Sequence, residues 1–405
     1  MLKKYLDRIK PNFEPGGKLH AFHSVFDGLE TFLYTPDTTS TSGVHIHDSL
    51  DSKRVMIIVV LALMPCLLFG MYNTGYQNFL GSGASSFPFW SLMAYGCLAI
   101  LPKLIVTYAV GLGIEFIVAQ WRKEEIQEGF LVTGILIPLI CPIETPLWMI
   151  AVATAFSVIF VKEVFGGTGY NIFNVALVTR AFLFFAYPAS MSGDRAFISS
   201  SPICGIGGTV NFADGISGAT PLGQVATHTG GALEIHNIVG DPVSNWDAFL
   251  GLIPGSFGET STLCILLGAA LLLLSGIANW KIMVSVFAGG LLMGWIANMF
   301  ATPTYPGSFL SPWQQLIYGG FAFAAVFMAT DPVTAARTGA GKYIYGLLVG
   351  IIAVLIRVYN NGYPEGAMLA VLLMNALAPL IDYCVVQTNI NRRLRRAEAA
   401  KISES

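Results

Sequence analysis

The sequence predicts an all-α polytopic membrane protein of about ten transmembrane helices, arranged as two inverted five-helix repeats. Three observations carry that prediction. Of 405 residues, 54% are hydrophobic and 11% charged, whereas a soluble chain carries about a quarter charged residues. Uncharged apolar runs such as 55–71 and 282–300 recur, each near the ~20 residues that cross a bilayer. The basic residues fall mostly on one side of the plan these runs define.

Taken in order, the apolar segments predict helices over 55–72, 92–120, 129–141, 147–163, 173–188, 260–277, 282–300, 313–329, 343–360 and 365–387. The second is too long for a simple crossing, which predicts an interfacial piece before Pro102 and Lys103. The third and eighth end at Pro142 and Pro332 and are too short for a full crossing. Such half-helices expose carbonyls and dipole ends inside a protein, which suits ion or cofactor contacts. The 43 glycines suit close helix packing in lipid.

With the N-terminus in the cytoplasm, ten crossings return the C-terminus there. Of the 22 Lys and Arg residues, 19 then fall inside, Lys162 and Arg180 among them; Lys103, Arg195 and Arg357 fall in outer halves or loops. The plan divides the chain into a cytoplasmic N-terminal segment 1–53, a first repeat 54–190, an extracytoplasmic loop 191–259, a second repeat 260–388 and a basic cytoplasmic tail 389–405. The first fifty residues lack an apolar core, so no cleavable signal peptide is expected. They carry Phe22, Phe26, Leu29 and Leu33 at helical spacing, as in a helix lying on a membrane surface or partner.

The two halves echo one another. "GFLVTGILIPLICP" corresponds to "GFAFAAVFMATDP", and "VIFVKEVFGGTGYNIFNVALVTRAF" to "AVLIRVYNNGYPEGAMLAVLLMNALAP". In each half a helix stops at a proline, and the next ends in a basic residue, Lys162 or Arg357, before a Gly-rich turn. An offset of five helices inverts one unit relative to the other, and such repeats commonly place a functional path at their interface.

Glu115, Glu128, Glu163, Asp331, Glu365 and Asp382 lie in or at the ends of spans. Ionisable groups there are costly, so each is a candidate for an ion path or a charge partner; Asp331 also suits a turn cap. "GGTGYNIFN" at 166–174 lacks the lysine of a phosphate loop and reads as a tight turn between helices. His20, His23, His45 and His47 sit in the polar N-terminal region and read as surface histidines. The six cysteines, at 66, 97, 141, 204, 264 and 384, show no CxxC spacing, so an iron–sulfur or zinc site within this chain is not expected. No nucleic-acid partner is expected either.

One stretch departs from the greasy background. Residues 211–224 read "NFADGISGATPLGQ", small and flexible, with the Thr220 hydroxyl flanked by Ala219 and Pro221. Five helices precede it, which predicts that it lies outside the cytoplasm. The run Asp214 to Thr220, with Ser217, Gly218 and Ala219 between, resembles the D-G-x-S-G-A-T motif of covalent flavinylation. In that motif a flavin transferase joins FMN through a phosphoester to the final threonine. With "KEVFGGTGYNIFN", "RAFLFFAYPA", "SGATPL" and "FMATDPVTAARTGAGKYIYG", the chain resembles over essentially its whole length one family. Its members are the B subunits of Na+-translocating NADH:quinone oxidoreductases and the related D subunits of Rnf ferredoxin:NAD+ oxidoreductases.

The resemblance implies a component of a redox-driven sodium pump in the bacterial inner membrane, working with five partners (the A, C, D, E and F subunits). Electrons would pass from NADH through flavins and an iron centre to quinone. It implies covalent FMN on Thr220, a non-covalent riboflavin and a quinone site in or beside this chain. It also implies a sodium path through Glu128, Asp331 and Asp382. A flavin that takes on negative charge would gain from a nearby cation such as Arg180 or Arg195. A D subunit of the Rnf type, or a ten-helix channel or transporter without redox function, are the alternative readings.

Overall fold

A helix begins wherever the sequence changes from a capping or turn residue to an unbroken apolar run, and the structure is built from little else. The computed structural model describes residues 52–83, 88–122, 129–192, 196–200, 218–228, 234–360 and 365–404. It also describes 8–13 and positions 6, 17, 26, 30, 43, 86, 362 and 363. The first half comprises α1 (Ser52–Gly81), α2 (Phe89–Arg122), α3 (Phe130–Ile140), α4 (Leu147–Ser157, continued by the π-helical turn Val158–Glu163) and α5 (Val175–Ala186). Three short helices follow, α6 (Pro188–Met191), α7 (Pro221–Thr227) and α8 (Asn245–Leu250). The second half comprises α9 (Thr262–Leu274), α10 (Trp280–Met299), α11 (Gln314–Ile317), α12 (Phe321–Phe323, continued by the π-helical turn Ala324–Met328), α13 (Gly339–Tyr359) and α14 (Ala367–Glu404). Helical structure thus stands at each of the ten predicted positions. Among the described residues five helices, α1, α2, α10, α13 and α14, are long and apolar enough to cross a membrane. Apart from a bridge between His236 and Pro242, the described residues form no β-structure.

The departures from prediction have physical causes. α1 runs on to Gly81 because its polar extension is buried in protein: Asn73 Nδ2 donates to Ile253 O (3.0 Å), Asn78 Nδ2 to Ser199 O (2.7 Å) and Gln77 Nε2 to Asn73 Oδ1 (3.1 Å). α2 is continuous through Pro102, with no separate interfacial piece. The predicted eighth helix is broken between α11 and α12, where Gly319 adopts φ +65°. α14 absorbs the predicted tail and spans 38 residues, about 57 Å at 1.5 Å per residue. The turn at 166–174 is non-helical, with Gly166, Gly167 and Gly169 all at positive φ, and Asn174 caps α5 by accepting from Leu177 N.

One apolar core runs through both halves, from Leu63 and Ile137 to Val326, Tyr345 and Met374. Glycines set the closest approaches. A Cβ at Gly350 would collide with Val286 O, and one at Gly289 with Leu347 O. α10 and α13 therefore touch backbone to backbone. α1 meets α9 the same way, with Gly268 against Ala62 O. The outward faces carry Leu61, Ile105, Ile117, Leu267, Val284 and Leu380, all exposed, as expected of helices facing lipid.

Candidate functional site

Thr220 begins α7. Its backbone is extended (φ −63°, ψ 156°) and its Oγ1 accepts from Gly223 N at 3.1 Å, an N-cap that satisfies one orphan donor of the short helix. Gln224 holds the approach to this cap. Its Nε2 donates to Ala219 O (3.1 Å) and His236 O (2.8 Å), and its Oε1 accepts from His236 N (2.9 Å). Leu222 and Val225 bury α7 against Ile235, Ala248, Ile253, Leu310 and Tyr318. What the sequence presents as a small flexible run is, from Gly218 onward, a clamped segment with Gly218 buried and Ala219 and Thr220 half-buried. Asp214 and Ser217 lie outside the described residues.

Thr220 faces a cavity of about 240 Å³. α7 forms one wall through Gly223, Ala226 and Thr227; Phe184 of α5, Phe197 and Tyr363 supply aromatic surface. The Phe184 and Tyr363 rings meet edge to face at 4.2 Å. Arg180 and Glu365 supply the charge.

Arg180 projects from α5 into a buried ion cluster. Its Nη1 donates to Glu259 Oε1 at 2.6 Å; its Nη2 donates to Ser256 Oγ at 3.3 Å and to the Glu365 carboxylate. Glu259 also abuts the α11–α12 break: a Cβ on Gly320 would lie 2.6 Å from its carboxyl carbon. On Gly319 a Cβ would lie 3.3 Å from Arg357 Nη2. Arg357, buried at the end of α13, donates through Nη1 to Gln315 O and lies 5.9 Å over the Phe321 ring. Two guanidinium groups and two carboxylates thus gather where α5, α9, α12, α13 and the 360–366 connection meet. Arg180 is paired with both carboxylates, as charge this deep requires, whereas Arg357 Nε and Nη2 are buried without a hydrogen-bond partner.

A second cavity, about 140 Å³, lies among Val55, Gly129, Thr133, Lys162, Asn174 and Asp331. Asp331 caps the turn after α12. Its Oδ1 accepts from Val333 N (3.1 Å) and its Oδ2 from Thr334 Oγ1 (3.1 Å) and Asn174 Nδ2 (3.3 Å). Lys162 is paired to Glu115, both buried, and Arg122 lies 3.9 Å from Glu163. Asp382 lines neither cavity and locks the start of α13, accepting from Arg337 N (2.7 Å), Thr338 N (3.0 Å) and Thr338 Oγ1 (2.6 Å). Glu128 and Arg195 lie outside the described residues, as do Phe22, Leu29, Leu33 and the four N-terminal histidines. Phe26 is buried and stacks on Phe13 at 4.6 Å.

Several sequence expectations need correcting. Lys162 and Arg180 are buried in ion pairs, so neither is a headgroup-facing charge of the kind that sets orientation. The carbonyls after α3 are not open to an ion: Lys103 Nζ donates to Pro142 O (3.2 Å) and Ile143 O. Glu259 is not legible as a site residue because it precedes α9 in "IPGSFGETSTLC", inside what reads as a loop; its apolar flanks are the available signal. Among the described residues no cluster of three His, Cys, Asp or Glu side chains has metal-binding geometry, and five cysteines are free thiols.

Comparison with known proteins places this architecture. Residues 39–391 match the NQR2, RnfD, RnfE family. The B subunit of the Na(+)-translocating NADH-quinone reductase of Klebsiella pneumoniae (strain 342) is 43% identical, the match covering 98% of this chain and 99% of that protein. The corresponding protein of Azotobacter vinelandii is also 43% identical, with the same coverage. That of Pseudomonas aeruginosa (strain LESB58) is 42% identical over 98% of this chain. The residues that build the cavity at Thr220 therefore sit in a chain that belongs to the NQR2, RnfD, RnfE family.

Proposed function

We propose that this chain is the B-type membrane component of a sodium-translocating NADH:quinone oxidoreductase and carries FMN through a phosphoester on Thr220. One observation carries the reading: the hydroxyl that ends the D-G-x-S-G-A-T run faces a cavity with aromatic walls and a guanidinium. That is the donor set a planar, apolar ring with polar edges calls for, so the residues present fit the group. Bound there, FMN would supply electron carriage, accepting and passing electrons singly.

The chain's own residues supply attachment, orientation and charge. Thr220 Oγ is the point of attachment. The Gln224 clamp fixes that point against the chain at His236. Phe184, Phe197 and Tyr363 would keep water from the bound group, and Arg180 would offer it positive charge. Asp214, Ser217, Gly218 and Ala219 would form the strip that a flavin transferase reads. A riboflavin and the quinone would bind elsewhere in or beside this chain, with the A, C, D, E and F subunits as partners. Sodium would pass by Glu128, Asp331 and Asp382; Asp331 suits this because Thr133, Asn174 and Thr330 line the same cavity with polar groups.

Ten spans in two inverted repeats belong to the same reading. Supporting it, α2 packs on α4 as α10 packs on α13, α4 on α5 as α13 on α14, and α1 on α3 as α9 on α12. The halves meet through α1 with α9 and α5 with α14, each a pair that an inverted repeat relates to itself. The location is then a bacterial inner membrane, with both termini cytoplasmic and Thr220 on the opposite side.

Thr220→Asn tests the attachment. Asparagine caps a helix as well as threonine does but offers no hydroxyl. Co-expressed with its partner subunits and the flavin transferase, the wild-type chain is expected to show flavin fluorescence after denaturing electrophoresis. The variant is expected to assemble without that fluorescence and without quinone reductase activity. A persistent fluorescent band would remove Thr220 as the site. Mass spectrometry of the co-purifying subunits separates this complex from an Rnf-type one.

A further inference from the structure

Arg180 is shared by two carboxylates that differ in kind. Glu259 precedes α9 and is 5% exposed; Glu365 sits in the short connection between α13 and α14 and is 17% exposed. Glu259 is packed against Gly320, has Arg357 across the Gly319–Gly320 break, and does not line the Thr220 cavity. Glu365 does line it, alongside Arg180 itself. Arg180 Nη1 faces the fixed partner and Nη2 the exposed one.

We propose that Arg180 sets the redox poise of the Thr220 cavity, with Glu259 as its permanent counter-ion and Glu365 as the partner that gives it up when negative charge enters. The proposal rests on the covalent-flavin reading and says what regulates that site. With Glu365 in place, the cavity wall carries one positive and one negative charge, so an arriving electron meets little net potential. Glu259 holds the guanidinium at the wall whether or not Glu365 remains bound to it. Reduction of a ring there by one electron, supplied by the NADH-oxidising part of the complex or by dithionite in a titration, adds one negative charge when no proton follows. No bond of the protein breaks; Nη2 is the donor that can turn from Glu365 toward that charge. In a site removed from water, each of these charges is felt far more strongly than at a surface.

Two neutralisations should then act with opposite sign. Glu365→Gln leaves Arg180 with a single carboxylate partner and favours the reduced ring. Arg180→Gln leaves the Glu365 carboxylate on the cavity wall, and Glu259 behind it, without their shared cation and disfavours the reduced ring. Purified complex carrying each variant is titrated with dithionite, and the absorbance of the Thr220-bound flavin is followed. Each substitution is expected to change the oxidised-to-reduced ratio at a given potential by at least tenfold, which is 59 mV for a one-electron couple. Glu365→Gln moves the potential up and Arg180→Gln moves it down. Arg180→Lys, which keeps the charge but not the two-headed contact, is expected to move it down by less, and it serves if the glutamine variant does not assemble.

A role confined to packing predicts lower stability for both variants with no opposed shift. Potentials that stay in place, or that move in one direction together, overturn the proposal. Electrophoretic fluorescence is read first on every sample. Its absence from the wild-type chain overturns the covalent-flavin reading, whereas flavin present without opposed shifts overturns only the assignment to Arg180 and Glu365.

Discussion

Around Thr220 a guanidinium and a carboxylate, paired with one another, line the cavity directly, and the guanidinium's second partner, Glu259, lies behind the wall. Around Asp331 the carboxylate is spoken for by a turn amide, a hydroxyl and an asparagine, while the nearby cation, Lys162, is tied to Glu115. The first cavity keeps charge that can be redistributed; in the second the carboxylate is held by neutral donors and the cation is paired with Glu115. A site for an electron carrier needs the former. A site where a weakly held cation pauses needs the latter, because an unshielded buried carboxylate would bind too tightly to release it.

Substitutions around both cavities put that contrast to the test. The largest effect is expected from Lys162→Met, which leaves Glu115 buried without its cation and should destabilise the protein by about 3–5 kcal/mol. Thermal unfolding of the purified complex measures it, and adding Glu115→Leu should restore most of the loss. An unchanged midpoint in the single variant would mean that the pair contributes nothing. Gly320→Ala pushes a methyl into the Glu259 carboxylate and should cost about 1–3 kcal/mol. It should also disturb the flavin spectrum at Thr220, which Lys162→Met should leave alone. A spectral change in the lysine variant would contradict the separation of the two cavities.

Asp331→Asn and Asp382→Asn keep the size and shape of the side chain, remove the charge and replace one of the two acceptor oxygens with an NH2 donor. Each is expected to raise the sodium concentration for half-maximal turnover by roughly tenfold, equivalent to about 1.4 kcal/mol. On the proposed reading, a flavin at Thr220 should stay unaffected. An unaltered sodium dependence removes that residue from the path. The smallest effect is expected from Thr334→Val, which deletes one hydrogen bond to Asp331 at about 1 kcal/mol and should leave sodium half-saturation within twofold. A large change there would mean that the hydroxyl itself contacts the ion.

The helices are legible in the sequence because apolar runs report burial in lipid directly. What the sequence hides is burial in protein. Asn73, Gln77 and Asn78 look like the end of a span yet continue α1, since their partners at 199 and 253 are distant in the chain. Glu259 looks like loop for the same reason. Its burial is created by Arg180 and Gly320, 79 and 61 positions away. Thr220 is recognisable through resemblance, not through local chemistry, and only folding shows that Arg180 shares its cavity. The break between α11 and α12 is written in Gly319-Gly320, but a glycine pair inside an apolar run equally suits close helix packing.

The backbone contact between α10 and α13 has a mechanical side. Where two helices touch main chain to main chain at Gly289 and Gly350, no side chain lies between them to slip. The pair acts as a single beam, and shear along it is closed. Movement during turnover is then left to parts that are jointed rather than welded. One such joint is the Gly319–Gly320 break, with Arg357 against Gly319 and Glu259 against Gly320.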